Sequence, residues 1–479
     1  MVRVVGVEPT RLAAQEPKSC ASANSTIPAN QLYQFIKFFV KCQFLHEIST
    51  VQKRIIKKKQ GDGSVKKKNN SPKCRMIRIV LLYLTLLPII AFGWLYSRLP
   101  DRIYLEPGQT MVLPRFQFVE PRHLYGSQNA ASTQAVGSYQ TTLTLGGWLP
   151  IRNVRTIITE RPYVTVCGTP FGVKMFSEGA LIVGFSDLDA PDGTTSNPAK
   201  AAGLHLGDRV IRIGNTTTQN NEEVKEALKS SNGDPVDVIY IRNGEQRKTK
   251  LTPIWEESNG QWKAGMWVRD SSAGVGTMTF ADEARGVFAG LGHPISDGDT
   301  GESIALRSGE IVPCQITGCS MGTIGSPGEL KGKFLSSHAI GSIRINGENG
   351  VYGTTRTTFS GSKMEVAFAQ EVETGNAEIL TTVSGETPHS YRARIEKISD
   401  SGSYRNMVIR ITDENLLKQT GGIVQGMSGS PIIQGGKLVG AVTHVLVNDP
   451  TRGYGIFAQT MLEQVETVAA MPFSEDYAG

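Results

Sequence analysis

The sequence GGIVQGMSGSPII, residues 421–433, places two serines among glycines directly before an apolar run. Small, flexible residues allow a tight turn that presents a hydroxyl beside backbone N–H groups, which is the arrangement that a nucleophilic serine requires. Ser428 is therefore a candidate nucleophile. A plain Gly/Ser loop between two strands is the alternative interpretation, and the stretch taken alone favours that loop.

The pattern Gly-x-Ser-Gly-x-Pro at residues 426–431 matches the serine turn of trypsin-like peptidases. In that turn the nucleophile precedes the second glycine, which favours Ser428 over Ser430 as the reactive residue. The same pattern predicts an oxyanion hole made by the backbone amides of Gly426 and Ser428. Ser430 stays open as an alternative nucleophile, but we expect it to shape the turn.

The net charge of +6 is concentrated at the N-terminus. Residues 1–78 hold sixteen Lys/Arg against four Asp/Glu, a local charge of +12, which leaves about −6 for the rest of the chain. The basic character thus belongs to a terminal segment and not to a globular face, and we predict no nucleic-acid partner. The high glycine content and the length favour two or three strand-rich domains.

Residues 1–75 contain no pattern that could build a core, and we interpret them as a disordered or mis-annotated extension. The opening string GVEPTRLAAQEP, residues 6–17, resembles strings produced when a tRNA gene is translated. Our hypothesis is that the native protein starts at Met76.

Residues 76–98 include a nearly uninterrupted apolar run with arginines before it. Its length just suffices to cross a bilayer, and the basic flank predicts a transmembrane signal anchor with the following chain outside the cytoplasm. A buried core helix is the alternative. Residues 99–160 alternate like strands and are predicted to form a β-rich connector.

Residues 161–256 resemble a bacterial PDZ domain. The resemblance rests on NPAKAAGLHLGDRVI at residues 197–211 and on two strand patterns that flank Asn243 and Gly244, a strong hairpin signal. PDZ domains bind extended peptides by adding them to a sheet edge. The resemblance places the peptide carboxylate at a loop formed by Phe171, Gly172, Val173 and Lys174.

Residues 261–475 consist of many short strand patterns with close turns, including Asn346–Gly347. Such a pattern over about two hundred residues predicts a closed double β-barrel, the fold of trypsin-like peptidases. The whole chain is therefore predicted to be mostly β, with a PDZ domain followed by this peptidase domain.

A serine nucleophile needs a base. His293 ends an apolar strand in a Gly-His turn, as expected of a base at a barrel rim, and it is the preferred candidate. His444 follows the apolar run 439–443 and is its main rival. His338 and His389 lie in polar surroundings and are predicted to be surface residues.

Spacing alone does not identify the carboxylate that orients the base. Asp413 ends a strand-like run, where a carboxylate is held rigidly. Asp297, Asp299 and Asp449 are alternatives in loops. An equally good interpretation of Asp413 is a helix cap or turn residue. The cysteines match neither a disulfide framework nor a zinc motif, so we predict no metal and no cofactor.

Four blocks in order, residues 274–280, 290–297, 422–431 and 440–450, resemble the stage IV sporulation protein B (SpoIVB) family of serine peptidases from endospore-forming Firmicutes. The resemblance extends from about Met76 onwards. It implies that His293 is the catalytic histidine, Asp413 the proposed aspartate and Ser428 the nucleophile.

The resemblance also implies a role in endospore formation. Family members pass from the forespore into the space between the two membranes, cleave themselves, and cleave a regulator of a membrane-embedded protease that then processes pro-sigma-K. Their PDZ domain takes part in recognising the substrate and a second copy of the protein. The competing hypothesis is a PDZ-based binding or scaffold protein with an inactive peptidase-like domain.

Overall fold

The computed structural model describes residues 5–6, 72–123, 136–189, 193–257, 260–297, 301, 303–399 and 405–472. Most of the predicted extension 1–75 therefore lies outside the described residues, and so does Asp299. Contacts divide the chain into two compact units, residues 12–93 and a larger unit of residues 1–11 and 94–479. The candidate site lies entirely in the larger unit.

The described residues form five α-helices and 28 strands. The helices are α1 (Pro72–Arg98), α2 (Pro198–Ala201), α3 (Asn221–Ser230), α4 (Glu414–Thr420) and α5 (Ala458–Ala469). The strands before residue 260 are β1 (Val5–Gly6), β2 (Arg102–Leu105), β3 (Val119–His123), β4 (Gly137–Leu145), β5 (Leu149–Ile158), β6 (Tyr163–Val166), β7 (Pro170–Phe185), β8 (Leu188–Asp189), β9 (Thr195–Ser196), β10 (Arg209–Ile213), β11 (Thr216–Thr217), β12 (Val236–Arg242), β13 (Glu245–Leu251) and β14 (Ile254–Glu256).

The later strands are β15 (Gln261–Lys263), β16 (Met266–Asp282), β17 (Val287–Gly290), β18 (Leu306–Ser320), β19 (Glu329–Phe334), β20 (Gly341–Gly347), β21 (Gly350–Thr355), β22 (Ser362–Glu365), β23 (Gly375–Thr381), β24 (His389–Ile398), β25 (Met407–Ile411), β26 (Pro431–Gln434), β27 (Lys437–Val445) and β28 (Arg452–Phe457). The prediction of a mostly β chain is confirmed.

Helix α1 covers the segment predicted to cross a membrane. Within the described ranges, however, no helix combines the length and the apolar character that a bilayer span needs. The predicted transmembrane anchor at residues 76–98 is therefore not confirmed. Residues 99–160, predicted as a β-rich connector, contain a four-stranded sheet in the order β2-β5-β4-β3.

The first barrel is a closed ring of six strands. β7 pairs with β18, β18 with β20, β20 with β21, β21 with β17, β17 with β16, and β16 again with β7. Its interior is filled by buried apolar side chains that include Phe171, Met175, Phe288, Ile311 and Val351. Burial of this set stabilises the ring that carries the histidine turn.

The PDZ-like elements are inserted into this barrel. Strands β10, β12 and β13 extend the sheet outward from β7, and α3 packs on them through Val224, Ala227 and Leu228. Because β7 precedes these elements and β16 follows them, the first barrel strand begins well before the predicted domain start at residue 261. β7, with 16 residues, and β16, with 17 residues, are long enough to take part in both the barrel and the PDZ-like sheet.

The predicted carboxylate-binding loop is wrong. Phe171, Gly172, Val173 and Lys174 lie inside β7, which pairs with β16 on one side and with β18 on the other. Phe171 and Val173 are buried. A peptide binds to a sheet edge, and this segment offers no edge because both of its hydrogen-bonding sides are occupied.

The second barrel is closed in the order β23-β24-β25-β28-β27-β26. Its core includes Ile379, Ile395, Ile409, Ile432 and Val442, all buried. The chain thus contains two six-stranded closed barrels, as the strand pattern predicted, although β7 of the first barrel lies before the predicted start at residue 261. The serine turn lies between α4 and β26, and the histidine turn follows β17 of the first barrel.

Candidate active site

The serine turn is buried and its hydroxyl is engaged. Ser428 is 2 % exposed, and its Oγ donates a hydrogen bond to the carbonyl oxygen of Thr443 at 2.5 Å. Gly429, the next residue, has a φ of +93° and donates its N–H to Val442 at 2.8 Å. The turn therefore packs against β27, and the left-handed backbone at Gly429 explains why a glycine follows the candidate nucleophile.

Two threonines of the first barrel hold this turn. The Thr277 N–H donates to the Ser428 carbonyl at 3.0 Å, and Thr277 Oγ1 donates to the Gly426 carbonyl at 2.8 Å. Thr279 Oγ1 donates to the Gly429 carbonyl at 2.7 Å. The sequence block 274–280 had no assigned role, although two threonines at i and i+2 in an apolar strand place both hydroxyls on one face.

The Gly426 N–H of the predicted oxyanion hole and the Ser430 hydroxyl differ in whether they form hydrogen bonds within the protein. Within the described residues, no oxygen accepts a hydrogen bond from the Gly426 N–H, which is compatible with a role in binding an oxyanion. Ser430 Oγ donates to the Met427 carbonyl (2.6 Å) and lies within hydrogen-bond distance of Thr381 Oγ1 (2.8 Å). Ser430 thus ties the turn together, as expected for a residue that shapes it.

His293 is fixed by the backbone carbonyl that follows it. The imidazole is buried, and its Nδ1 lies 2.8 Å from the carbonyl oxygen of Pro294. A carbonyl oxygen can only accept, so Nδ1 carries the proton and the basic lone pair is on Nε2. This is the tautomer that a general base for a serine hydroxyl needs.

A second imidazole lies against the first. The ring centroids of His293 and His444 are 4.6 Å apart, with an angle of 37° between their planes. Burial lowers the pKa of His293 to about 4, opposed by the Pro294 carbonyl and assisted by the charge of Arg405. Burial, and then His293 and Arg405, lower the pKa of His444 to about 2. Both rings are therefore neutral at pH 7.

The structure favours His293 over its rival as the base. The Nδ1 atom of His444 is buried, and no described group hydrogen-bonds to it. Nothing at that atom selects a tautomer of His444, whereas the Pro294 carbonyl selects one for His293. His338 and His389 are exposed, as predicted.

Asp413 is a helix cap. Its carboxylate accepts hydrogen bonds from the backbone N–H groups of Asn415 (3.0 Å) and Leu416 (3.2 Å), at the start of α4, and lies 3.4 Å from Arg392 Nε. Arg405, whose charge acts on both histidines, precedes β25, and Asp413 follows its other end. The hydrogen-bonding partners of the Asp413 carboxylate are the α4 backbone and Arg392, and Asp413 is not among the charges that shift the pKa of either histidine.

The structure therefore does not bring Asp413 to His293, and the alternative interpretation as a cap describes its position. The other described candidates are engaged too. Asp297 forms a 2.7 Å ion pair with Arg269, and Asp449 accepts from Thr451 Oγ1 at 2.6 Å. The Pro294 carbonyl, which sequence reasoning missed, is the acceptor that His293 Nδ1 contacts.

No metal centre accompanies these residues in the described part of the chain, where no group of three or more His, Cys, Asp or Glu side chains could hold an ion. The cysteines Cys167, Cys314 and Cys319 are unpaired thiols. Burial raises the pKa of Cys167 and of Cys314 to about 12. Neither of these two thiols is a thiolate at neutral pH, so neither competes with Ser428 as a nucleophile.

Short segments of curated proteins are similar to this chain. A putative zinc metalloprotease of Borreliella burgdorferi is 37% identical over 67 residues, which is 14% of this chain and 16% of the relative. The 26S proteasome non-ATPase regulatory subunit 9 of Rattus norvegicus is 35% identical over 60 residues, 12% of this chain and 27% of the relative. The chain thus spans about a sixth to a quarter of these relatives.

Two solved structures are similar at low identity. The active form of the Rv3671c protease from M. tuberculosis is 15% identical, with a TM-score of 0.26, over 42% of this chain and 78% of that chain. The PDZ domain of the SdrC-like protein from Listeria monocytogenes is 18% identical, with a TM-score of 0.15, over 19% of this chain and 87% of that chain.

Family models match the two regions that the sequence had separated. Residues 183–252 match the PDZ domain, and residues 260–462 match the family described as SpoIVB peptidase S55. The second match contains all three predicted catalytic residues, His293, Asp413 and Ser428. The chain thus contains a region that matches the SpoIVB peptidase S55 family, preceded by a region that matches the PDZ domain.

Proposed function

We propose that the protein is a serine endopeptidase in which Ser428 is the nucleophile and His293 the general base. One observation carries this proposal: the Ser428 hydroxyl and the His293 ring both contact the dipeptide Thr443–His444 of β27. Two barrels thereby contribute one group each to a single buried place, which is what a nucleophile and its base require.

We propose a first step that uses the hydrogen-bonding groups of both turns. The Ser428 hydroxyl turns away from the Thr443 carbonyl, attacks the scissile carbonyl carbon and gives its proton to His293 Nε2. The resulting imidazolium keeps its Nδ1–H on the Pro294 carbonyl, whose dipole stabilises the positive charge. The amides of Gly426 and Ser428 would bind the oxyanion.

The second half of the reaction returns the proton. His293 Nε2 gives it to the leaving amine, which departs as the new N-terminus, and Ser428 remains as an ester. Water then attacks that ester, with His293 again taking a proton, and the serine hydroxyl is restored. Asp413 has no part in this scheme, because its carboxylate caps α4.

The proposed substrates come from the family. From the resemblance to the SpoIVB family we propose an extracytoplasmic peptidase of endospore formation that acts on itself and on a regulator of the membrane-embedded pro-sigma-K protease. The match over residues 260–462 supports the peptidase part of this proposal. The PDZ domain would select extended segments of these substrates. Incubation of the full chain with the extracytoplasmic part of such a regulator, followed by mapping of the cut, tests this substrate class.

An active-serine phosphonate probe tests the chemistry. We expect the full chain to be labelled, Ser428→Ala to lose labelling, and the matched variant Ser430→Ala to retain it if it folds. Removal of a triad serine lowers kcat by about 10⁶-fold in a well-studied peptidase. Equal labelling of Ser428→Ala would exclude this nucleophile. A wild-type chain that neither labels nor cleaves would support the scaffold hypothesis.

A further inference from the structure

Asn346 clamps the loop that follows the catalytic histidine. Its Oδ1 accepts a hydrogen bond from the Ile295 N–H at 2.7 Å. Its Nδ2 donates to the Ile295 carbonyl at 3.0 Å and to the Ile304 carbonyl at 2.9 Å. One side-chain amide thus uses its acceptor and both of its donor hydrogens on two residues of the same loop.

Those two residues form the base of the loop. The Ile304 N–H donates to the Ile295 carbonyl at 3.0 Å, and Ser296 and Ser303 form an isolated β-bridge just beyond them. Ile295 and Ile304 are buried in the core of the first barrel. The amide of Asn346 therefore fixes the position of the loop base relative to the barrel.

The β20–β21 hairpin, which carries Asn346, also packs against the two glycines that precede His293. A Cβ built on Gly350 would lie 2.9 Å from the Gly290 carbonyl and 3.2 Å from the Gly292 nitrogen. Strands β20 and β21 thus touch the chain on both sides of His293. Pro294 lies between the histidine and the clamped Ile295, so its carbonyl can move only as far as Ile295 allows.

We propose that Asn346 is a positioning residue for the peptidase reaction. By holding Ile295 it aims the Pro294 carbonyl at Nδ1–H of His293, and this sets the tautomer whose Nε2 accepts the serine proton. The proposal rests on the proposed role of His293 as the base. It assigns to a side-chain amide and a backbone carbonyl the orienting task that a carboxylate performs in a serine triad.

Two variants of the full chain test the clamp. Asn346→Ala removes all three hydrogen bonds, and Asn346→Asp keeps the acceptor but sets a carboxylate against the Ile295 and Ile304 carbonyls. Asn376→Ala, an exposed asparagine of β23, is the matched control. Two quantities are measured: the kinetics of probe labelling, resolved into binding and reaction, and the ¹⁵N signals of His293 in ¹⁵N-histidine-labelled protein, assigned with His293→Gln.

We expect the reaction rate of both Asn346 variants to fall about 10–100-fold, the scale of a displacement near 1 Å, with binding of the probe less affected. The ¹⁵N signals should change from one tautomer with Nδ1–H to a mixture, while Asn376→Ala stays like wild type. If the tautomer of His293 is unchanged in the Asn346 variants, the proposal is overturned whatever the reaction rate. A merely structural role would lower activity without changing these ¹⁵N signals.

Failure of the proposed function would look different. If Ser428→Ala labels like wild type, the nucleophile is wrong, but the ¹⁵N signals of Asn346→Ala still decide whether this residue sets the tautomer of His293. If the tautomer changes and the rate of a Ser428-dependent reaction does not, the clamp exists without serving catalysis, and the positioning role is excluded.

Discussion

Both turns are held by hydrogen bonds and by close packing, but the closest backbone contact is at the serine turn. Gly429 lies so close to the first barrel that a Cβ there would be 1.9 Å from the Thr277 carbonyl and 2.5 Å from the Leu291 nitrogen. The histidine turn also depends on hydrogen bonds to the Pro294 and Ile295 backbone. Steric contact of two backbones tolerates no added atom, whereas hydrogen bonds can be weakened by degrees.

Adding a side chain at the close backbone contact of Gly429 should cause the largest loss of stability. Gly429→Ala introduces a Cβ at a φ of +93° against backbone atoms that cannot move, and we expect a loss of about 3–5 kcal/mol of stability or no folded protein. Gly435→Ala is the matched control. Its φ is +58°, nothing lies within 4 Å of its Cβ, and the cost should be about 1–2 kcal/mol.

Thermal unfolding of the two variants and their probe labelling measure this difference. Equal midpoints for Gly429→Ala and Gly435→Ala would show that the barrels can separate at the serine turn. That result would contradict the view that backbone contact fixes the nucleophile.

The burial of His293 predicts an unusual pH dependence for the labelling of Ser428. Burial lowers the pKa of His293 to about 4, so the neutral ring persists well below the ordinary histidine range. The rate of Ser428 labelling should therefore stay level from pH 8 to about 5 and fall only near pH 4. A midpoint near 6.5 would show that the imidazole is solvated in the reactive state.

The lowered pKa of His293 also predicts that the folded protein is less stable in acid. Because the folded pKa lies below the unfolded value of about 6.5, the unfolded chain binds more protons between the two values. Stability is thus full above pH 6.5, declines as the pH falls to about 4, and stays low below that. Near-UV circular dichroism at each pH separates this loss of structure from protonation of the base.

The sequence predicted the local chemistry better than the long-range pairing. The glycine-serine turn and the Gly-His turn are short patterns whose backbone requirements are visible in the residues themselves, and both lie in the site. Phe171 to Lys174 failed because pairing on both sides of β7 is decided by strands about a hundred and a hundred and forty residues away. A single strand pattern contains no information on that pairing.

Asn346 and Pro294 escaped notice for a related reason. An Asn-Gly pair at the end of a strand is an ordinary hairpin signal, and nothing in it indicates a loop fifty residues earlier. Asp413 shows the opposite problem, since a strand-end aspartate before a short helix fits a triad and an N-cap equally well. Only the three-dimensional positions separate the two.

Asp413 gives the smallest expected effect and sharpens the comparison most. As the N-cap of α4 its carboxylate can be replaced by an amide, so Asp413→Asn should keep both stability and labelling near wild type. Asp413→Ala removes the cap and should cost about 1 kcal/mol of stability, with labelling preserved.

In a serine triad the change from Asp to Asn lowers kcat by about 10⁴-fold, because it stabilises the wrong tautomer. A loss of that size in Asp413→Asn would mean that the reactive state brings this carboxylate to His293 and releases Nδ1 from the Pro294 carbonyl. Retention of labelling would leave the backbone carbonyl as the group that orients the base.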